Sequence, residues 1–209
     1  MARAPERPGA EQWVPQDGDV DALREAAPGC RGCELWADAT QVVFSAGPAR
    51  ARVVVVGEQP GDREDREGAP FVGPAGRVLS DALEAAGIDA DRVYSTNAVK
   101  HFRFVERGKR RLHKKPGVAH LEACRPWLLA ELAAVSPDVV VCLGATAARA
   151  VLGHDVRVGE VRGQVLEAEQ DAGYRVVVTT HPSAVLRLRG KPEWDAAFAA
   201  LVEDLGLAT

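Results

Sequence analysis

Residues 53–56 are Val-Val-Val-Val. A strand with one wet face alternates apolar and polar side chains, so four valines in a row describe a strand buried on both faces. Such strands occur where helices cover a parallel sheet on either side. The stretches 138–143 and 175–180 each hold three valines in a row and read as buried strands, and 92–99 reads as a further strand. Helical spacing occupies the intervals, over 19–27, 76–86, 145–152 and from Trp194 to Leu205. A helix is also expected over 121–135, kinked or restarted at Pro126. This alternation predicts an α/β fold of three layers, α/β/α, around a mainly parallel four-stranded sheet. A chain of 209 residues that is 46% hydrophobic can bury the core of one domain. The reading is a single domain over 19–209, preceded by a mobile tail, 1–18, rich in Pro, Gly and charge.

The polar signals fall where the strands end. Gly57-Glu58-Gln59-Pro60-Gly61 follows the valine run, Asn97 ends the second strand, and His181-Pro182-Ser183 follows the fourth. Ligands of open parallel sheets sit outside the carboxyl ends of the strands, so these residues are candidates for one site, with Phe71 delivered nearby. Neither G-x-G-x-x-G nor G-x-x-x-x-G-K-[S/T] follows the first strand, which argues against a nucleotide cofactor. No apolar stretch is long enough to span a membrane, and the amino terminus lacks the apolar region of a secretory signal. A cytoplasmic protein is expected, acting as a monomer.

Net charge is −4, yet residues 100–115 hold eight Lys or Arg against one acid, Glu106. A basic loop of about 101–116 on an acidic body points to a local contact with an anionic polymer. Of four cysteines, Cys142 lies in an apolar run and reads as core. Cys30, Cys33 and Cys124 remain, with His101 as the leading fourth donor. Three thiolates and an imidazole suit either structural zinc or an iron–sulfur cluster.

Taken together, these segments resemble the uracil-DNA glycosylase superfamily, in its iron–sulfur (family 4) branch. The resemblance runs from Cys30 to about Arg187. It rests on Cys-x-x-Cys, Gly-Glu-x-Pro-Gly, Pro70-Phe71-Val72-Gly73-Pro74-x-Gly76, Thr96-Asn97-x-Val99-Lys100, Ala123-Cys124-x-Pro126 and His181-Pro182-Ser183, in the family's order. Gln59 stands where typical members have Ala, and His101 where they have a cluster cysteine. Lys109-Arg110-Arg111-Leu112-His113 is similar to the Lys-Arg-Arg-Ile-His insertion of the UdgX-like subgroup.

The resemblance implies an enzyme that flips uracil out of DNA, excises it, and stays covalently attached to the abasic sugar C1′ through the loop histidine, His113. Glu58, Gln59 and His181 would complete the catalytic set. Phe71, Asn97, Gly57, Gly61 and Ser183 would bind the base, and Lys109, Arg110, Arg111, Lys114 and Arg187 the DNA backbone. A [4Fe–4S] cluster on Cys30, Cys33, His101 and Cys124 would be structural. A turnover family 4 glycosylase and a non-catalytic, redox-active DNA-binding module are the competing expectations.

Overall fold

The computed structural model describes residues 7–168 and 172–209. In chain order the elements are α1 (Val20–Ala26), β1 (Ser45–Ala46), β2 (Val53–Gly57), α2 (Asp62–Glu67), α3 (Pro74–Ala85), β3 (Val93–Asn97), β4 (Phe104–Arg107) and β5 (Arg110–His113). Then come α4 (Val118–Val135), β6 (Val139–Leu143), α5 (Ala145–Leu152), α6 (Val158–Val161), β7 (Val165–Glu167), β8 (Arg175–Thr179), α7 (Pro182–Leu186) and α8 (Trp194–Gly206).

The main sheet runs β1-β3-β2-β6-β8-β7. The four expected strands form its parallel centre, in the order β3-β2-β6-β8. Two short antiparallel edge strands, β1 and β7, raise the total to six. Both are too brief to register as patterns in the sequence.

The valine run shows why the sheet needs cover on both sides. Val54 and Val56 pack with Val140, Cys142, Val176 and Val178 against α1, α4 and α5. Val55 points the other way, with Val139, Val141, Leu143 and Val177, against α3, α7 and α8. Every one of these central strand side chains is at most 2% exposed. At roughly 25 cal/mol per Å² of apolar surface, these two cores are the main source of stability.

Pro126 sits inside α4, which runs unbroken from Val118 and so starts earlier than its leucine spacing indicates. Residues 7–18 do not trail free. Gly9 N donates to Gly32 O at 3.1 Å, Ala10 is buried, and Arg7 pairs with Glu34. Small apolar residues in this stretch find a surface that composition could not reveal; residues 1–6 lie outside the described residues. No described helix is long and apolar enough to cross a membrane.

The basic segment is an antiparallel hairpin, β4 with β5, turning at Gly108. Its register pairs Phe104 with His113 and Glu106 with Arg111, placing those four on one face. Val105, Leu112, Arg107 and Arg110 form the other, exposed face.

Candidate active site

The chain leaves β2 toward α3 on one face of the sheet and leaves β6 toward α5 on the other. Outgoing chains that diverge in this way open a crevice at the carboxyl ends of the two strands. A cleft of about 760 Å³ occupies that position. Glu58, Gln59, Gly61, Phe71, Asn97, His113, His181, Ser183 and Arg187 all border it. Four separate strand ends and the hairpin therefore converge on one space.

Gly57 lies behind this wall, and its lack of a side chain shapes it. A Cβ there would sit 2.3 Å from Asn97 Oδ1 and 2.8 Å from Phe71 Cζ. Phe71 adopts a left-handed backbone with φ 58°, a conformation that costs a bulky residue on the order of 1–3 kcal/mol. Its carbonyl lies over Gly76, where a Cβ would approach within 1.6 Å. Asn97 is 2% exposed, and its side-chain amide makes no hydrogen bond to another described residue.

The Glu58 carboxylate accepts a short hydrogen bond from Thr146 Oγ1, across the β2–β6 crevice. Its other oxygen is 3.6 Å from His113 Nε2. His181 caps α7: its Nδ1 accepts from Ser183 N at 3.1 Å and lies 2.9 Å from Ser183 Oγ. Burial, reinforced by His113 and Arg187, pushes its pKa down to about 4. The ring is thus neutral near pH 7. With Nδ1 accepting, its proton sits on Nε2, the nitrogen free to donate.

Two expected roles move. Gln59 is 7% exposed, and its amide is committed to the hairpin base. Nε2 donates to Arg103 O (3.1 Å) and Lys114 O (3.2 Å), while Oε1 accepts from Arg103 N (3.1 Å). It holds the strand that carries His113, while the residue still borders the cleft. Arg111 is internal too. It pairs with Asp62 at 2.5 Å and with buried Asp65 at 2.7 Å. Its guanidinium also lies over the stacked rings of Phe102 and Phe104. Two acids on α2, dozens of residues upstream in the chain, recruit a side chain that charge alone assigns to DNA. Lys100, counted in the same basic run, is 1% exposed and paired with Glu131. Lys109 and Arg110 at the hairpin tip, Lys114 at its base and Arg187 at the cleft rim are exposed.

Comparison with known proteins decides the lineage. The family model described as "Uracil DNA glycosylase superfamily" matches residues 44–206. This chain belongs to the uracil-DNA glycosylase superfamily. The "Type-4 uracil-DNA glycosylase" of Thermotoga maritima is 36% identical, across 81% of this chain and 84% of its own. The protein of the same description from Archaeoglobus fulgidus is 33% identical, across 89% and 92%. That from Pyrobaculum aerophilum is 32% identical, across 86% and 92%.

Glu64, Lys115, Gly144 and Thr146, none of them assigned to the site from the sequence, also border the cleft. Gly144-Ala145-Thr146 follows a buried strand just as Gly57-Glu58 does, and that position was its available signal. Gly144 has φ 90°, which brings the chain past His181. Glu64 bonds the backbone N–H of Gly61 (3.1 Å) and Gly73 (2.8 Å), tying the first loop to the Phe71 loop.

The donor set Cys30, Cys33, His101 and Cys124 is buried on the side of α4. No group of three or more His, Cys, Asp or Glu side chains among the described residues is arranged around a single metal ion. A four-iron cluster makes a different demand, one ligand per iron. The sulfurs are buried close enough together to feel one another: burial pushes the Cys124 thiol up to about 12, and Cys33 and Cys30 push the same way. Cys30 Sγ receives the N–H groups of Gly32 (3.4 Å) and Trp127 (3.2 Å), and Cys124 Sγ that of Lys100 (3.4 Å). Donors aimed at sulfur are what a cluster's thiolates require. Burial, with Arg31 adding, lowers His101 to about 4, leaving a neutral imidazole.

Proposed function

We propose that this protein excises uracil from DNA and that His113 then captures the abasic sugar. The reading rests on one observation above all: a histidine nitrogen stands 3.6 Å from a cleft carboxylate, Glu58, in the space bordered by Phe71, Asn97 and His181. Similarity to proteins described as Type-4 uracil-DNA glycosylases supports the excision step.

A base removed from the duplex needs a replacement stack and a reader. Phe71 offers its ring. The Asn97 amide, without an internal partner, accepts from uracil N3–H and donates to O4. Cytosine presents the reverse at both positions, and each buried mismatch costs ~1–3 kcal/mol. Two mismatches give roughly thirtyfold to ten-thousandfold discrimination, at tenfold per ~1.4 kcal/mol.

When the C1′–N1 bond breaks, its electron pair passes to the uracil ring. His181 Nε2–H donates to the oxygen that gathers this charge, a fixed donor in a dry site. The Glu58 carboxylate, oriented by Thr146, faces the cationic sugar. His113 Nε2, with the ring proton on Nδ1, supplies an electron pair to C1′, forming a C–N bond; the alkylated imidazolium then loses its Nδ1 proton to solvent, the Glu58 carboxylate offsetting its charge until it does. Exposed Lys109, Arg110, Lys114 and Arg187 neutralise phosphates. Cys30, Cys33, His101 and Cys124 would hold a [4Fe–4S] cluster whose contribution is structural.

Denaturing electrophoresis after incubation with uracil-containing single-stranded DNA tests this. A retarded species that survives denaturation is expected, and His113→Ala should remove it. The second reading, a turnover glycosylase, is favoured by similarity to Type-4 uracil-DNA glycosylases. It predicts uracil release with no retarded species. DNA binding without base loss would defeat both.

A further inference from the structure

Lys100 and Glu131 form a buried ion pair that the proposed chemistry does not use. They are 1% and 0% exposed. Ion pairs at this depth seldom add stability over apolar residues of similar volume, because desolvation offsets the attraction. What the pair touches gives it a purpose. Besides Glu131, the Lys100 ammonium donates to Thr96 Oγ1 (2.6 Å) and to the main-chain oxygen of Asn97 (3.0 Å). All three of its protons are therefore placed. Glu131 in turn accepts from Tyr94 OH (2.8 Å) and lies 2.9 Å from Thr96 Oγ1, so the network grips alternate residues of β3 up to its end.

Beyond β3 the chain is stitched to the catalytic loop: Ala98 N donates to Gly57 O (2.9 Å) and Val99 N to Glu58 O (3.1 Å). Lys100 N reaches Cys124 Sγ, and Lys100 O accepts from Val43 N. One turn thus joins Asn97, Glu58 and the cysteine side of α4. The Asn97 amide has no hydrogen bond of its own among the described residues, so its aim depends on how this backbone is held.

We infer that Lys100, seated by Glu131, is a positioning residue that sets the aim of Asn97 through the bond to its carbonyl oxygen. The inference rests on the reading of Asn97 as the uracil reader. Misplacement of a reacting group by about 1 Å costs on the order of a hundredfold in rate, and the loss of this bond belongs in that range.

The test compares wild type, Glu131→Gln and the pair Lys100→Met/Glu131→Gln, since Lys100→Met alone strands a buried carboxylate. Glu131→Gln keeps Lys100 and an oxygen able to accept from its ammonium, so the bond to Asn97 persists; its single-turnover uracil release at saturating DNA is the reference rate, the cost of the lost counter-charge included. The double variant should lose about ten- to a hundredfold, while its affinity for uracil-free DNA matches that of Glu131→Gln. Equal release rates in the two variants overturn the inference. So does a loss that tracks a fall in thermal midpoint and in uracil-free DNA binding, which marks mere structural damage. Wild type is the control for the underlying reading. If it releases no uracil, that reading fails and carries this one with it; a working wild type and an equally fast double variant sink this inference alone.

Discussion

At Gly57 the chain has no room for a side chain, although its backbone is extended and its φ unremarkable for any residue. The constraint is distance: a methyl there would meet Asn97 and Phe71 together. Gly57→Ala should fold, since neither neighbour is backbone, but should push the Asn97 amide or the Phe71 ring aside. Single-turnover uracil release should fall about tenfold or more; an unchanged rate would show that neither group is set by this contact. His181 gives a second prediction. Its pKa is held near 4 against an ordinary 6.5, so the unfolded chain takes up a proton first as pH falls. Stability linked to neutral His181 is complete above about pH 6.5 and drains away as pH drops toward about 4. His181→Gln cannot titrate. The difference in thermal midpoint between wild type and His181→Gln should therefore shift against wild type between about pH 7 and pH 4.5. A constant difference across that window would place the ring in water.

Among the elements, the parallel strands were legible because burial on both faces writes an unbroken apolar run, as in Val53–Val56 and Val139–Leu143. The hairpin was not. Charged residues at half of its positions look like a solvated loop, and the groups that order it lie elsewhere: Gln59 at its base, Asp62 and Asp65 beneath Arg111. The partners of Lys100 and Arg111 are equally invisible in a linear chain, so the basic run overstated its outward charge. Strand-end positions did anticipate the cleft, since Glu58, Asn97 and His181, which each follow or close a parallel strand, all border it; Thr146 was missed although Gly144 marks the same position after β6. The distinction between internal and outward arginines is measurable. Lys109→Ala and Arg110→Ala should each reduce the slope of log affinity against log salt by about 1. Arg111→Ala should leave that slope alone and lower the yield of covalent species per uracil released, because the strand bearing His113 loses its anchor. If Arg111→Ala shifts the slope as the tip residues do, its contact is with phosphate.

For the whole molecule, the donor set draws on parts that the sheet does not join. Cys30 and Cys33 come from the segment before β1, His101 from the turn after β3, and Cys124 from α4. Residues 7–43 precede the stretch that the superfamily model matches, and packing and polar contacts hold them to the domain. Val20 and Leu23 pack toward α4, Gly9 bonds Gly32, and Glu34 meets both Arg7 and His120. His120 Nδ1 accepts from Gly117 N at 3.0 Å, where the hairpin returns to α4. A cluster on these four residues would clamp the amino-terminal segment to the foot of the hairpin, and its binding energy would be folding energy. Cys124→Ser should abolish the visible absorbance of the purified protein and lower its thermal midpoint by about 10 °C or more. Hydrogen exchange should then report where the loss falls. Amides over 7–43 and 101–117 should open first, while β2, β6 and β8, covered on both faces, keep the protection of the global fold. Uniform loss of protection would mean that the clamp and the sheet are one cooperative unit. Unchanged protection over 7–43 would mean that packing of α1 on α4 suffices, and that the thiols hold nothing that matters to this segment.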